Sequence, residues 1–476
     1  MVSSSTLFSV SRIGQIVVSS SPGERRAAVL RDGEVWGLAW EWPDQPNPVG
    51  AVYSVRVTRL APEARGAFVA ADAAGQQGFL DLSGAKPPPL HEGQTLLAQV
   101  TRAAAEGKRL TFSPAVRLAG RYLVYTPMRP GISASRQLRD RTAVQRLQGV
   151  IKSAAEPGEG IILRAAAAAL AAPDALLAEL GRHRHVWQAA QSGDVLGEVV
   201  PAPSMVASLL IDRPGSGPLA IIVDAPALLA EARAAAAKWA PEAAITMMLD
   251  RADPFTACGG TEAMEAALGR QVPLATGGAL WLEQTRACWT ADVDSGGASG
   301  RAEAVRAETN HAAAIELARQ VRLRQASGTF VSDFLRMRNR QEQAAVIATL
   351  KAAFAEDPAD LRFNAGFDPL GFYAFSRGRI AAPLVSRLSD GGDRQAVLAG
   401  LRALTRSALA DPAARVALHL HPQTLAVLPH LPVAWAEARA QLGQEPAVQA
   451  DASLARYGYA VRPIRSETAA GPEPSP

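Results

Sequence analysis

The segment from Leu280 to Phe334 constrains the fold more than any other part of the chain. Leu280 to Asp294 reads as a strand, with Trp281, Leu282, Cys288 and Trp289 as its apolar residues. "GGASGRAE" follows as a flexible turn. Ala302 to Gln325 has helical composition, and Ala314, Leu317, Ala318, Val321 and Leu323 can supply one buried stripe. Gly328 ends that helix, and "TFVSDFL" is apolar and strand-like. A strand–helix–strand unit normally makes two parallel strands with a right-handed crossover. If the strands are neighbours they lie ~4.8 Å apart. Asp292 of "TADVDSG" and Asp333 of "TFVSDFLRMRNR" can then face one another across a shared rim.

Spacing alone leaves two readings of these aspartates open. They cap turns, or they form the rim of a metal site. Two carboxylates at that distance repel unless a cation sits between them. Oxygen-only ligation, with no His or Cys nearby, favours Mg²⁺ or Mn²⁺ over zinc. Such an ion keeps several waters, binds phosphate and can activate a water. Basic residues surround the unit: Arg336, Arg338 and Arg340 follow the second Asp, and Arg319, Arg322 and Arg324 end the helix. Each either touches a polyanion or belongs to a solvated face near a helix C-terminus.

Elsewhere the chain alternates in shorter units. Residues 10–42 read as strands joined by turns, ending at the linker "PDQPNP". From Gly50 to about Gly120, five strand candidates with Gly-containing turns suit a small closed barrel. Phe68 and Phe79 fall on two of them. They either stack nucleobases or fill the barrel core. Strands alternate with helices from about 205 to 365, which argues for α/β layering. The last ordered stretch looks like a small separate α/β domain.

Composition narrows the class. The 476 residues suffice for several domains, and 48% apolar with 20% charged residues suits a soluble globular protein. Net charge is +4 and the pI is about 9.2, a mild bias toward polyanionic partners. Cys258 and Cys288 form no CxxC pair, so no disulfide framework or local zinc knuckle is readable. A cytoplasmic, reducing setting is the expectation. The N-terminus lacks the pattern of a signal peptide, and no window approaches the length of a membrane span.

Several of these stretches resemble the ribonuclease E/G family. "TADVDSG" resembles its strand-end motif, and "ETNHAAAIELARQVRLRQASGTFVSDFLRM" its downstream segment, in which a Thr-Asn pair starts a helix. "PGERRAAVLRDGEVWGLAWE" resembles its opening strands, and "GAVYSVRVTRLAPEARGAFVAADAAGQQGFLDL" its S1-type RNA-binding barrel. "LAGRYLVYTPMRPGISASRQL" resembles the exit from that barrel, "EGIILRAAA" the sensor for RNA 5′ ends, and the end at "YGYAVRP" the small domain. The similarity covers about residues 10–463.

The resemblance implies an α/β multidomain protein. An S1-type OB β-barrel (43–119) is inserted in a ribonuclease H-like domain (1–42 and 206–270). A 5′-end sensor region (120–205), a DNase I-like α/β catalytic domain (271–380) and a small C-terminal α/β domain (381–463) complete it, before a disordered tail (464–476). It also implies an endoribonuclease for single-stranded RNA, leaving 5′-phosphate and 3′-hydroxyl ends. Asp292 and Asp333 match the Mg²⁺ ligands, and Asp294 takes the place of an assisting Asn. Phe68 and Phe79 match the base-stacking aromatics, Lys108 and Arg136 basic RNA contacts, and Arg164 the 5′-phosphate sensor.

Three departures stand out. Ala165 replaces the sensor Thr, which implies a weakened preference for 5′-monophosphorylated RNA. Gln137 stands where a second Arg is usual. "FYAFSRGRIAAPLVSRLSDGG" contains no cysteine where the family carries a zinc-sharing Cys-Pro-x-Cys motif, so no zinc is expected and a homodimer loses its zinc link. The alternative expectation is a catalytically weakened RNA-binding member of the same family.

Overall fold

The structure is a computed structural model. It describes residues 14–83, 89–103, 109–138, 140–193, 195–213, 215, 217–248, 253–296, 303–337, 339–380, 383–389 and 392–464. Lys108, Arg338 and all but the first residue of the expected tail lie outside them.

The strands Gly14–Ser21, Glu24–Arg31 and Glu34–Glu41 form an antiparallel meander. Their sheet is completed by Leu219–Val223 and Ala244–Met247, which run parallel to the first strand. The chain therefore leaves this sheet after Glu41 and returns at Leu219. What lies between is an insertion. Its first part is a closed barrel of five strands: Val52–Ala61, Gly66–Ala70, Gln77–Asp81, Thr95–Arg102 and Leu110–Ser113. The first and fourth pair to close it, and the third and fifth run parallel. This mixed α/β chain with a closed five-stranded barrel matches the coarse fold expectation, an OB-type barrel included. Its core is Val55, Val57, Val69, Leu80, Val100 and Phe112, all fully buried or nearly so.

A four-stranded sheet follows, in the order Gly131–Ala134, Gly160–Leu163, Leu123–Thr126, Leu118–Ala119. The helices Arg141–Ala154 and Asp174–Gln191 pack on it through Leu147, Ile151, Leu176 and Leu180. Asp140 caps the first of them by accepting from the Ala143 N–H.

The sheet carrying the two aspartates has six strands. Their order is Gln271–Pro273, Ala279–Gln284, Trp289–Asp294, Gly328–Asp333, Phe372–Arg377, Leu361–Phe363. The single strand expected over Leu280 to Asp294 is two strands of an antiparallel hairpin. Thr285 breaks it: its Oγ1 accepts from the Ala287 and Cys288 N–H groups and fixes a tight turn. The expected helix spans Glu303–Leu323, and it stops before Gly328. Gln325, at φ 51°, takes the left-handed terminating position, and the Ala326 N–H returns to the Val321 carbonyl. Gly328 instead opens the next strand. Thr309 and Asn310 lie inside the helix, not at its start.

One face of this sheet is dry. Ala313, Ala314, Leu317, Ala318 and Val321 of the crossover helix are fully buried in one cluster with Leu280, Leu282, Ala291 and Val293. Trp289, Phe330 and Phe375 make a transverse aromatic row there, with Phe330 and Phe375 stacked at 4.7 Å and 5°. The other face presents the exposed residues Trp281, Glu283, Asp292, Asp294 and Asp333 and carries the site.

The C-terminal part has its own three-stranded sheet, Val448–Ala450, Val416–Leu420 and Tyr459–Pro463, with the helix Gly392–Ala410 against it. Its Leu398, Leu401, Leu404 and Leu418 nevertheless share one apolar cluster with Val17, Leu38 and Trp40 of the N-terminal sheet and with Phe255. Among the described residues, no helix is long and apolar enough to cross a membrane.

Candidate active site and nucleic-acid interface

Asp292 and Asp333 are the register partners at the ends of two adjacent parallel strands. Registered neighbours point to the same face of a sheet, so both carboxylates project from the open side. Both are exposed, while Ala291, Val293, Ser332 and Phe334 on either side of them are buried. Strand alternation alone thus sorts acid from core.

The pair is held rigidly from below and beyond. The Asn310 amide, fully buried in the crossover helix, donates to the Leu335 carbonyl at 2.8 Å and accepts from the Leu335 N–H at 2.9 Å. This clamp fixes the chain two residues past Asp333. On the other strand, Gly296 turns the chain at φ 67°, where an added Cβ would lie 2.3 Å from the Gly277 carbonyl oxygen.

Asp294 answers half of the cap-or-metal question. Its Oδ1 accepts from the Gly296 N–H at 2.9 Å, an Asx turn, and among the described residues its Oδ2 accepts no hydrogen bond. Asp292 is in a different state. Partial burial first, and then the charges of Asp333 and Asp294, push its carboxyl above the ordinary value. Three carboxylates close enough to repel, on an open sheet face, suit a divalent cation with oxygen ligands. Two protein carboxylates with the remaining positions left to water is the usual Mg²⁺ arrangement. Among the described residues no group of three or more His, Cys, Asp or Glu is arranged to enclose a metal by itself. A site here therefore depends on water or phosphate oxygens to complete it.

The basic residues expected around the unit divide sharply. Arg336 and Arg340 are exposed beyond Asp333. Arg324 is only 2% exposed and bonds to Gln320 Oε1 and the Leu282 and Ala266 carbonyls. Arg322 lies over the Trp36 ring and donates to the Ala353 carbonyl. Burial lowers both guanidinium groups to about 10. Arg319 is paired with Glu316 at 3.0 Å. Arg322 and Arg324 are structural, while Arg319 stays part-exposed in its ion pair.

On the barrel, Phe68 and Phe79 are a cross-strand pair with ring centroids 5.6 Å apart, edge to face. Both are half-buried, and neither belongs to the barrel core. Arg59 and Arg109 stand 4.4 and 5.3 Å from the Phe68 ring. Sequence reading missed both arginines, although Arg59 is the register partner of Phe68. Both guanidinium groups lie over the Phe68 ring, so an unpaired base reaching that face stacks on a guanidinium plane or displaces it, with its phosphate beside the charge. Phe68→Ala or Phe79→Ala should weaken binding of a single-stranded oligonucleotide by about 1–3 kcal/mol without lowering the melting temperature. Fluorescence anisotropy of a labelled RNA checks this, and unchanged affinity would remove the rings from the interface.

Arg164 leaves its strand as expected, but it is occupied. It donates to Asp212 Oδ1 at 2.6 Å and to the Gly120 carbonyl at 2.6 Å. Arg136 is 79% exposed, with a loose contact to Asp360 at 3.9 Å. Gln137 donates to the Asp357 and Ala359 carbonyls, so it ties the segment after Gly131–Ala134 to the loop that leads into Leu361–Phe363.

Comparison with known proteins adds an independent line. A model described as "Ribonuclease E/G family" matches residues 117–380. The chain is 26% identical to Ribonuclease G of Salmonella typhimurium (strain SL1344) over 403 residues, 77% of this chain and 80% of that protein. It is 24% identical to Ribonuclease G of Haemophilus influenzae over 404 residues, covering 79% and 82%. With Ribonuclease E of Escherichia coli (strain K12) it shares 29% over 402 residues, 78% of this chain but 37% of that protein. The family model spans more than half of the sequence and includes both strand-end aspartates, and on that ground the chain belongs to the ribonuclease E/G family.

Proposed function

We propose that the chain is an Mg²⁺-dependent endoribonuclease, able to use Mn²⁺, that cleaves single-stranded RNA to 5′-phosphate and 3′-hydroxyl ends in RNA processing or decay. The observation that carries this is the register of Asp292 with Asp333 on the open sheet face. The relatives bearing the names Ribonuclease G and Ribonuclease E support the substrate class. In this reading the barrel is S1-type, the sheet interrupted by it is ribonuclease H-like and the six-stranded sheet is DNase I-like. A cytoplasmic setting follows from the substrate.

In this reading Asp292 and Asp333 would hold the ion, and Asp294 Oδ2 would orient a water. The bound cation supplies charge stabilisation at phosphorus and lowers the pKa of water. The chain's own residues do the rest. Phe68 and Phe79 take bases out of a stack, which a duplex resists and a single strand does not. Arg136, Arg336 and Arg340, all exposed, attract the phosphate backbone. Lys108 belongs with them by sequence.

The direct test is cleavage of a single-stranded AU-rich oligonucleotide with and without Mg²⁺, with the product ends identified. Metal-dependent cleavage to 5′-phosphate products supports the reading. A second reading, an RNA-binding member with little catalysis, is favoured by the extra charge of Asp294 and its bond to Gly296. Retained RNA binding without cleavage would select it. Zinc analysis of the purified protein should find none. About half a mole per chain would restore a zinc-linked dimer.

The sensor makes a separate prediction. Arg164 must give up Asp212 to grip a 5′-phosphate, and Ala165 offers no hydroxyl. Wild type should show a small preference for 5′-phosphate over 5′-hydroxyl RNA, and Arg164→Ala should remove it. Asp212→Asn should raise the preference, by up to ~10-fold, since it frees a charge-assisted donor. The kcat/KM ratio on the two substrates checks this, and a strong preference surviving Arg164→Ala would contradict the assignment.

A further inference from the structure

The open face of the six-stranded sheet carries one feature that neither the metal pair nor the barrel accounts for. Registered neighbours across four strands form a single transverse row: Trp281, Asp292, Asp333, Phe372. All four point to the same face. Trp281 is 38% exposed, unusual for the largest apolar side chain on a strand. Leu280 and Leu282 beside it are fully buried, so the exposure is set by strand alternation and is not a frayed end. Phe372 is half-buried at the other end of the row. The two carboxylates are therefore flanked by an indole on one side and a phenyl ring on the other. Directly opposed side chains start ~4.5–5.5 Å apart at Cβ.

The chemistry of that row is selective. Asp292, Asp294 and Asp333 repel a phosphate backbone until a cation neutralises them. A substrate that lies here cannot be gripped through its phosphates by these residues alone. Neutral rings can grip it through its bases. Base–aromatic stacking is charge-independent and needs only an unpaired, unstacked base. We infer that Trp281 stacks a nucleobase next to the scissile phosphate and so sets where single-stranded RNA is cut. Phe372 is the smaller ring at the opposite end of the row. This rests on the endoribonuclease reading and deepens it: the occupant of the face is single-stranded RNA held by its bases, not a second copy of the chain.

The test is a cycle between protein and substrate. Wild type, Trp281→Phe and Trp281→Ala are compared on a single-stranded oligonucleotide in Mg²⁺. Each is repeated with an abasic residue placed 5′ or 3′ of the cut. Trp281→Ala should lower kcat/KM by about 5- to 150-fold on the intact substrate, with Trp281→Phe largely restoring it. One of the two abasic positions should cost wild type a similar factor and cost Trp281→Ala almost nothing further. Equal cleavage by wild type and Trp281→Ala, or an abasic penalty that Trp281→Ala leaves intact, overturns the inference while the endoribonuclease reading stands. Absence of cleavage by wild type defeats that reading instead. Stacking is then read from fluorescence: RNA should quench wild type more than Trp281→Phe, and equal quenching overturns it. A change of oligomeric state in Trp281→Ala would assign the ring to a protein interface and also overturn it.

Discussion

Asp292→Asn or Asp333→Asn should reduce RNA cleavage by at least ~100-fold while leaving RNA affinity within a small factor. Loss of even an indirect metal partner typically costs 10–100-fold, and these two are direct ligands in the proposed site. Affinity is spared because the barrel rings and exposed arginines lie on other elements. Asp292→Asn has an opposite effect on stability, which separates it from simple damage. Burial and the neighbouring charges raise the Asp292 carboxyl. A group whose pKa is raised in the folded state is penalised when ionised, so the penalty is present at neutral pH and absent in acid. Asn removes it. The melting temperature of Asp292→Asn in EDTA should therefore equal or exceed that of wild type. Mg²⁺ should raise the wild-type value and leave the variant unmoved. A variant that melts lower in EDTA would show that Asp292 is structural.

The second large effect lies far from the site. Asp253→Ala should destabilise the protein by about 3–5 kcal/mol, the usual result of removing one partner from a buried ion network. Asp253 is buried between two parts of the chain. It takes Arg26 at 2.9 Å from the N-terminal sheet and Arg406 at 2.7 Å from the helix Gly392–Ala410. Ser19 and Thr256 hydroxyls donate to it at 2.8 and 2.7 Å. Glu24, fully buried, pairs with Arg402 of the same helix. Burial alone would push the Asp253 carboxyl up, but the Arg26 and Arg406 charges outweigh it and hold the group far below the ordinary range. Because the folded-state value is depressed, its contribution is complete above the unfolded value near ~4 and is lost as pH falls below it. The stability gap between wild type and variant, from urea denaturation, should be constant at neutral pH and shrink in acid. A gap under ~1 kcal/mol at pH 7 would mean the network is replaceable.

The sequence made some of this legible and hid the rest for physical reasons. The crossover unit was readable because one element supplies both spacing and pattern: an apolar stripe on a helix between two apolar runs. That places Asp292 beside Asp333 without knowledge of the rest. The barrel was readable for a similar reason, with five short runs closing locally. The hairpin inside Leu280 to Asp294 was hidden, because the polar run Glu283 to Arg286 at its turn carries no Gly, Pro, Asn or Asp to mark it. Trp281 therefore carries no sign in the sequence of which face it takes. The buried arginines were hidden because Arg looks solvated in any linear pattern, while Arg322 and Arg324 bury their stems and bond to carbonyls from distant segments. The pairing of Arg164 with Asp212 joins residues on separate elements, so no local spacing announces it. The Asp253 network joins the N-terminal sheet to the last third of the chain and is hidden in the same way.

The central claim is that Asp292 and Asp333 together hold one catalytic divalent ion. Mn²⁺ binding to the purified protein, followed by the loss of the free-ion electron paramagnetic resonance signal, tests it most directly. Wild type should bind Mn²⁺ at this site, Mg²⁺ should displace it, and both Asp292→Asn and Asp333→Asn should lose it in parallel with cleavage. Undiminished Mn²⁺ binding in either variant, with cleavage retained, would contradict the shared site and return both aspartates to the role of turn residues.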